Sequence, residues 1–482
     1  MKDDSLNKLS LKNGRLAKIL NHKVVKAGSW YTFTNFFTKG LAFLTLPIFT
    51  RLLSTADYGT VSLFSSWASI FSVIISLDLA WSVQRGKFEF KENYNKYISS
   101  VLFLSLLIFL IFLTIFIIFS NFFLRITNLT STLFFIMVFE AFFMFVQSFS
   151  LAKFRVEYKY KAVSLITIIS SIVGIILSIY LIRNVFIKEP YFGKILGNFL
   201  PLSVFAIFFI FYFLVKGKEL INFQYWKYAL VLSVPFILHN ISGVINSQFD
   251  RIIINQYLGA SPTGIYSFAY NLGTIVNVLF TSFYQAYNPY FMEKMEKKEY
   301  EKILFISKNY RNLFAVLYTL ILFISPEIVR LMAEESYWEG LYIVPYIFLA
   351  YFFNFMFTFE TNTEYYFKKT HYISIGTMLA AALNVILNII FIPRYGYVAA
   401  AITTDVSYLF LFVFHFLITK YKMKKPMYGL KFHLVSLAMA LGSTFAFLIL
   451  KDLIFVRYIL CGIIVIVALR MLLRSGENEK KR

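Results

Sequence analysis

Lys39 has no loop to account for it. It stands midway along an apolar stretch, residues 26–50, where a charge costs about 2.5–3.5 kcal/mol on insertion scales. Such a side chain must face water or polar neighbours. Thr32, Asn35 and Lys39 are spaced i, i+3 and i+7, so a helix puts them on one face. A second stripe, His239, Gly243, Asn246 and Asp250, runs at i, i+4, i+7 and i+11 along the stretch 228–252, with Arg251 adjacent. What these stripes could do is line a shared central polar cavity. The plainer reading is hydrogen bonding that holds helices together. Arg85 and Arg155, at the inner ends of two stretches, could meet an anionic head group or act only as charge anchors. Asp250, Asp78, Glu140, Glu360 and Asp405 are carboxyls in or near apolar stretches. Each could take H+ or Na+ as a coupling ion, pair with a nearby Lys or Arg, or sit at a helix end in the headgroup zone.

Catalysis finds no support. The chain has no phosphate-binding glycine loop and no Cys/His metal spacing, and its five His are scattered. No catalytic residue, metal or organic cofactor is expected. The single Cys461 excludes a disulfide framework within one chain.

The elements that must position these residues are membrane helices. Of 482 residues, 59% are hydrophobic and only 15% charged, more apolar surface than a soluble domain could hide. Mean hydropathy is +0.68. A spanning helix needs roughly 20 apolar residues. Fourteen such segments lie near 26–50, 58–81, 98–121, 129–150, 162–183, 191–215, 228–252, 261–286, 303–325, 338–360, 371–393, 396–419, 429–450 and 453–473. Of the 47 Lys and Arg, 36 fall at the two termini and on every second connection, 10 on the alternate connections, and Lys39 within a segment. Positive charge beside spans stays cytoplasmic. The sorting therefore predicts a multi-pass protein of the cytoplasmic membrane with both termini inside. It also absorbs most of the net charge of +22, which in a soluble protein would suggest nucleic acid; no nucleic-acid partner is expected. The polar first 25 residues form a basic leader without a signal-peptide cleavage site.

A repeat divides the chain. Leu53-Ser54-Thr55-Ala56-Asp57-Tyr58-Gly59-Thr60-Val61-Ser62 follows the first segment, and Leu258-Gly259-Ala260-Ser261-Pro262-Thr263-Gly264-Ile265-Tyr266-Ser267 follows the seventh, 205 residues later. Under the same offset Asn35 falls on Asn240. Glycines at these turns, and in Arg394-Tyr395-Gly396 and Tyr191-Phe192-Gly193, suit positive φ. The predicted architecture is all-α: two pseudo-symmetric six-helix lobes, 1–222 and 223–425, around a central cavity, plus a terminal helix pair, 426–482. Parallel halves of this kind are a transporter architecture. Pro47, Pro201, Pro235, Pro289 and Pro345, inside or near the ends of segments, would allow helix bending.

Three motifs carry a family resemblance. They are Arg51-Leu52-Leu53-Ser54 with Asp57-Tyr58-Gly59; Asp250-Arg251 with Leu258-Gly259, Gly264, Tyr266 and Ala269-Tyr270; and Leu383-Asn384, Leu387-Asn388, Ile392-Pro393, Gly396 and Ala399-Ala400-Ala401. In this order, over about residues 24–420, the chain resembles the polysaccharide flippases (Wzx type) of the MATE-like superfamily, exporters of O-antigen and capsule repeat units. The resemblance implies movement of a polyprenyl-diphosphate-linked oligosaccharide from the inner to the outer leaflet by alternating access. Lys39, Arg251, Arg85 and Arg155 would then meet the diphosphate. Asn35, Asn240, Asn246 and His239 would line the path, and Tyr266, Tyr270, Tyr284 and Tyr287 would stack on sugars. Membrane lipids and other polysaccharide-assembly proteins are the further partners implied. The terminal pair would offer the prenyl tail a groove. The nearest alternative is a peptidoglycan-precursor flippase, which also has fourteen spans; a cation-coupled drug exporter and a membrane-bound polysaccharide polymerase fit less of the pattern.

Overall fold

In hydrocarbon no water satisfies a backbone N–H or C=O, so a long apolar segment closes its hydrogen bonds on itself as a helix. The computed structural model describes residues 23–480; the expected basic leader before them and the last two residues lie outside the described residues. The helices are α1 (Lys23–Leu52), α2 (Thr55–Ser76), α3 (Ser82–Phe90), α4 (Tyr94–Ile118), α5 (Ser120–Thr127), α6 (Ser131–Val156), α7 (Tyr160–Asn184), α8 (Pro190–Gly217), α9 (Phe223–Leu258), α10 (Ala260–Glu296), α11 (Tyr300–Met332), α12 (Val344–Tyr366), α13 (Thr370–Tyr395), α14 (Tyr397–Leu417), α15 (Leu430–Leu450) and α16 (Ile454–Lys480). No strand occurs among the described residues.

Each of the fourteen apolar segments coincides with one long helix, and α3 and α5 are short additions. By length and apolar content, ten helices among the described residues can cross a membrane. The number is eleven if the 3-10 turn Glu335–Tyr342 and α12, bent by 50°, count as one span. The chain is a multi-pass membrane protein. Helices α1 and α10 fall outside that set because they carry the polar residues, Lys39 in one and Tyr, Asn and Thr in the other, and α16 because its apolar part, Ile454–Val467, is shorter.

The connections are tighter than the hydropathy suggested. Residues 82–90 form an amphipathic helix, α10 runs on to Glu296, and α11 to Met332. Pro345 stands in the first turn of α12 rather than inside a span, where its missing N–H leaves no bond unmade. Asp78 is not on a membrane helix either. It follows α2 in the left-handed region, φ 53, at the position before the 3-10 turn Leu79–Trp81, with no capping bond from its side chain.

Contacts divide the chain into two units, Met1–Thr45 with Trp67–Leu238, and Leu46–Ser66 with His239–Arg482. The first repeated turn thus packs with the C-terminal unit, and so does the terminal pair. In the first unit α8 packs against α4, α6 and α7, with Gly197 pressed onto Ser178 and Phe109 stacked on Phe142 at 4.3 Å. In the second, α12 and α13 pack on α14, and α11 receives α15 and α16. The terminal pair is anchored by polar side chains. Arg457 makes a two-pronged ion pair with Glu327 at 2.6 and 2.9 Å, Arg311 donates to the Phe432 carbonyl at 3.1 Å, and Tyr318 meets Thr444 at 2.6 Å.

Candidate functional site

In the second unit the three sequence motifs meet. Ser54 and Asp57 form a capping box on α2: the Asp57 carboxylate accepts from Ser54 N at 3.0 Å, and Asp57 N donates back to the Ser54 hydroxyl at 3.1 Å. The next two residues face α10. The Tyr58 hydroxyl accepts from Asn271 at 2.7 Å. A Cβ on Gly59 would stand 1.9 Å from the Ala260 carbonyl oxygen, and one on Gly264 1.8 Å from that of Thr55. The repeat offset of 205 carries each of these contacts onto the other. These glycines are therefore required by backbone contact within helices, not by positive φ. Positive φ belongs to Gly259 and Gly396, which precede α10 and α14 at φ 88 and 73. Gly193 likewise packs close, against Ile182 of α7.

About two turns further in, α10, α13 and α14 each supply a donor to one buried carboxylate on α9. Asp250 is fully buried. Its Oδ1 accepts from Asn388 Nδ2 at 2.5 Å, its Oδ2 from the Tyr266 hydroxyl at 2.6 Å and the Thr404 hydroxyl at 3.1 Å. Asn388 in turn donates to Asn384 Oδ1 at 3.0 Å and accepts from Thr403. Beside it Arg251, 6% exposed, makes no ion pair with Asp250. Its guanidinium donates to the Ser247 carbonyl at 2.7 Å and Gln248 Oε1 at 3.2 Å, and lies 4.5 Å from the centre of the Tyr270 ring. One guanidinium face is thus held by an aromatic ring and its edge by two oxygens, a geometry that fixes orientation while keeping the charge.

The rest of the second stripe is graded. Asn246 is buried and pairs with the Tyr408 hydroxyl, while His239 and Asn240 are half-buried and Gly243 is exposed. Tyr287 is not free to stack on a ligand: its hydroxyl is engaged by Ser307 and Tyr428 at 2.6 and 2.8 Å and its ring by Tyr310. Asp405 is 7% exposed, with Oδ1 lacking a hydrogen-bond partner.

In the first unit Thr32, Asn35 and Lys39 all lie exposed on one face of α1. Among the described residues no carboxylate is within ion-pair distance of Lys39. On the opposite face Thr34 donates to Ser164 of α7 at 2.6 Å, so the helix is held by one side and presents the other. Arg85 and Arg155 are exposed near helix ends, the latter 6.0 Å from the Tyr31 ring. Glu140 interacts electrostatically with Lys194 of α8, the pairing the sequence left open for it.

Glu360 belongs to a set that sequence reasoning missed. It lies near the end of α12 with Glu364, His415 and His433, all at most 2% exposed. The available signal was Glu360 and Glu364 at i and i+4, bounding the polar run Glu360–Glu364 of an otherwise aromatic helix.

Residues 24–295 match the family described as polysaccharide biosynthesis protein. The chain belongs to that family. Among curated relatives of the family, an Lsg locus protein of Haemophilus influenzae is 23% identical over 58% of this chain and 68% of its own length. A Salmonella typhi protein named for O-antigen transport is 23% identical over 61% and 71%. Among solved structures, the lipid II flippase MurJ in an inward closed conformation superposes with a TM-score of 0.72 at 16% identity, covering 92% of this chain and 99% of that one. A multidrug resistance MATE family transporter of the MOP superfamily, inward-facing, gives 0.63 at 13%, covering 80% and 96%. The fold is that of these transporters. Where the names of these relatives state an activity, it is transport and not catalysis.

Proposed function

We propose that the chain is a flippase that moves a polyprenyl-diphosphate-linked oligosaccharide repeat unit from the inner to the outer leaflet of the cytoplasmic membrane by alternating access, for surface polysaccharide assembly. The observation that carries this reading is the gathering of the three family motifs in the second unit, the second and third at Asp250 and the first against α10, inside a fold shared with a lipid II flippase and a multidrug transporter. Sugars and a diphosphate cannot cross hydrocarbon unsolvated; the prenyl tail can remain in lipid. Lys39, which has no carboxylate within ion-pair distance among the described residues, and Arg251, oriented by Tyr270, are the cations we assign to the diphosphate, with Arg85 and Arg155 at the entry. Asn35, Asn240, Asn246 and His239 would serve the polar path and Tyr270 its aromatic wall, while Tyr266, fully buried with its hydroxyl donated to Asp250, holds that carboxylate instead. Asp250 is a candidate for a coupling H+ or Na+ near this path, its carboxylate buried among the Tyr266 and Thr404 hydroxyls and the Asn388 amide nitrogen.

Deleting the gene tests the reading. The expected result is loss of surface glycan and accumulation of a lipid-linked intermediate facing the cytoplasm. Unchanged glycan with no intermediate overturns it, and accumulation of peptidoglycan precursor instead would reassign the substrate. We also propose that both termini are cytoplasmic, as the charge sorting predicts. A reporter fused after Arg482 should be active only inside the cell, and activity outside would reverse the orientation.

A further inference from the structure

We propose that Glu360, Glu364, His415 and His433 form a proton-binding site at the Lys-rich end of the second unit, loaded and unloaded during the transport cycle. The proposal rests on the flippase reading and names the coupling ion for it. His415 Nδ1 lies 2.7 Å from Glu364 Oε1, and His433 Nε2 lies 2.8 Å from Glu360 Oε1. The carboxylates are one turn apart on α12, while the imidazoles come from the end of α14 and the start of α15. Thr419, on the π-turn after α14, donates to Glu360 Oε2.

Among the described residues the remaining groups around the set supply no Lys or Arg as counter-ion. From α13, His371 acts electrostatically on Glu364. Tyr428, between α14 and α15, acts on Glu360 and is joined to Tyr287 of α10 and Ser307 of α11. Arg311 of α11 is spent on the Phe432 carbonyl and ring. Among the described residues no Lys or Arg is within ion-pair distance of either carboxylate, and no group of three such side chains is arranged to hold a metal.

Charge balance then dictates the occupant. Fully deprotonated, the set would bury two negative charges without a counter-ion, which is far more costly than neutralisation. One proton in each Glu–His pair makes both pairs neutral overall, whether as carboxylate–imidazolium or as acid–imidazole. Protons so held belong to the set and leave in coupled steps. Imidazole suits this role because its charge changes within the physiological pH range. The set joins α12, α14 and α15 at one end of the unit. Admitting water there would remove the cost of the bare charges and release protons, so proton occupancy and closure of this end stabilise each other.

The test uses everted membrane vesicles holding the full chain and loaded with lipid-linked glycan extracted from the deletion strain. Translocation is read as protection from membrane-impermeant periodate, with and without an imposed proton gradient. For the wild type, the gradient should raise the rate about fivefold or more. For the double variant Glu360→Gln/Glu364→Gln the ratio should fall to about one. A wild-type ratio in the variant, or no gradient response in the wild type, overturns the proposal and leaves the flippase reading standing. Absence of any wild-type translocation overturns the flippase reading instead. The site is also tested without transport, by nitrogen-15 histidine NMR of the full chain in bilayers. The signals lost in His415→Gln and His433→Gln should titrate, and should shift when the partner Glu becomes Gln. If they ignore both pH and the substitution, no proton site exists. Should the double variant fail to assemble, His433→Gln and His415→Gln replace it in the vesicle assay.

Discussion

Gly264→Leu should prevent the second unit from assembling. The Cβ alone would lie 1.8 Å from the Thr55 carbonyl oxygen and 3.0 Å from Gly59 N. The obstacle is backbone on both sides, which cannot turn aside as a flexible side chain can. Overpacking typically costs 1–3 kcal/mol, and here about 3 kcal/mol or more is expected because α2 and α10 must separate. Gly59→Leu should behave alike, since the crossing is the same contact seen from the other repeat. Gly442→Ala is the comparator: nothing lies within 4 Å of its Cβ position, and replacing a helical glycine gains roughly 1 kcal/mol of propensity. Membrane level and thermal midpoint in detergent are the readouts. Wild-type values for Gly264→Leu would mean that the two turns do not cross as described.

Substitutions at Asp250 and Arg251 should separate folding from transport. Asp250→Ala leaves Tyr266, Asn388 and Thr404 without their acceptor in a buried place. Each orphaned donor costs about 1–3 kcal/mol, so low membrane level is expected. Asp250→Asn keeps the shape. Its oxygen can still face the Asn388 amide, and its new NH2 meets two hydroxyls that can rotate to accept. That variant should reach wild-type level yet export less glycan by about tenfold or more, if the charge is used in the cycle. Arg251→Ala should cost export about tenfold or more, the scale of a charged hydrogen bond. Arg251→Lys should recover only part, because an ammonium cannot both lie flat on Tyr270 and fork to Ser247 and Gln248. Export is scored as surface glycan at matched membrane level. Full export in both Asp250→Asn and Arg251→Ala would remove this centre from the mechanism.

Hydropathy and the placement of Lys and Arg were enough to read an all-α membrane protein with helices on fourteen segments, because both signals are local: a window of about 20 residues carries each one. The motifs were legible as well, and so was their order. Their meaning was not. Asp57 and Ser54 are a helix cap, Gly59 and Gly264 a helix crossing, and Asn384 and Asn388 belong to the surroundings of Asp250. Residues 250 and 388 meet only because α9 and α13 are folded against α14, which no local window contains. The same holds for charge. A carboxyl in an apolar stretch announces itself, but its partner decides its role. Tertiary structure gives Asp250 three donors, Glu140 the lysine at 194, Glu360 an imidazole and Asp78 a place in a turn. By itself the sequence determined which segments become helices, which end is basic and which few polar residues lie deep. Only the tertiary structure decided which of those residues touch, because contact across helices depends on packing between positions far apart in the chain.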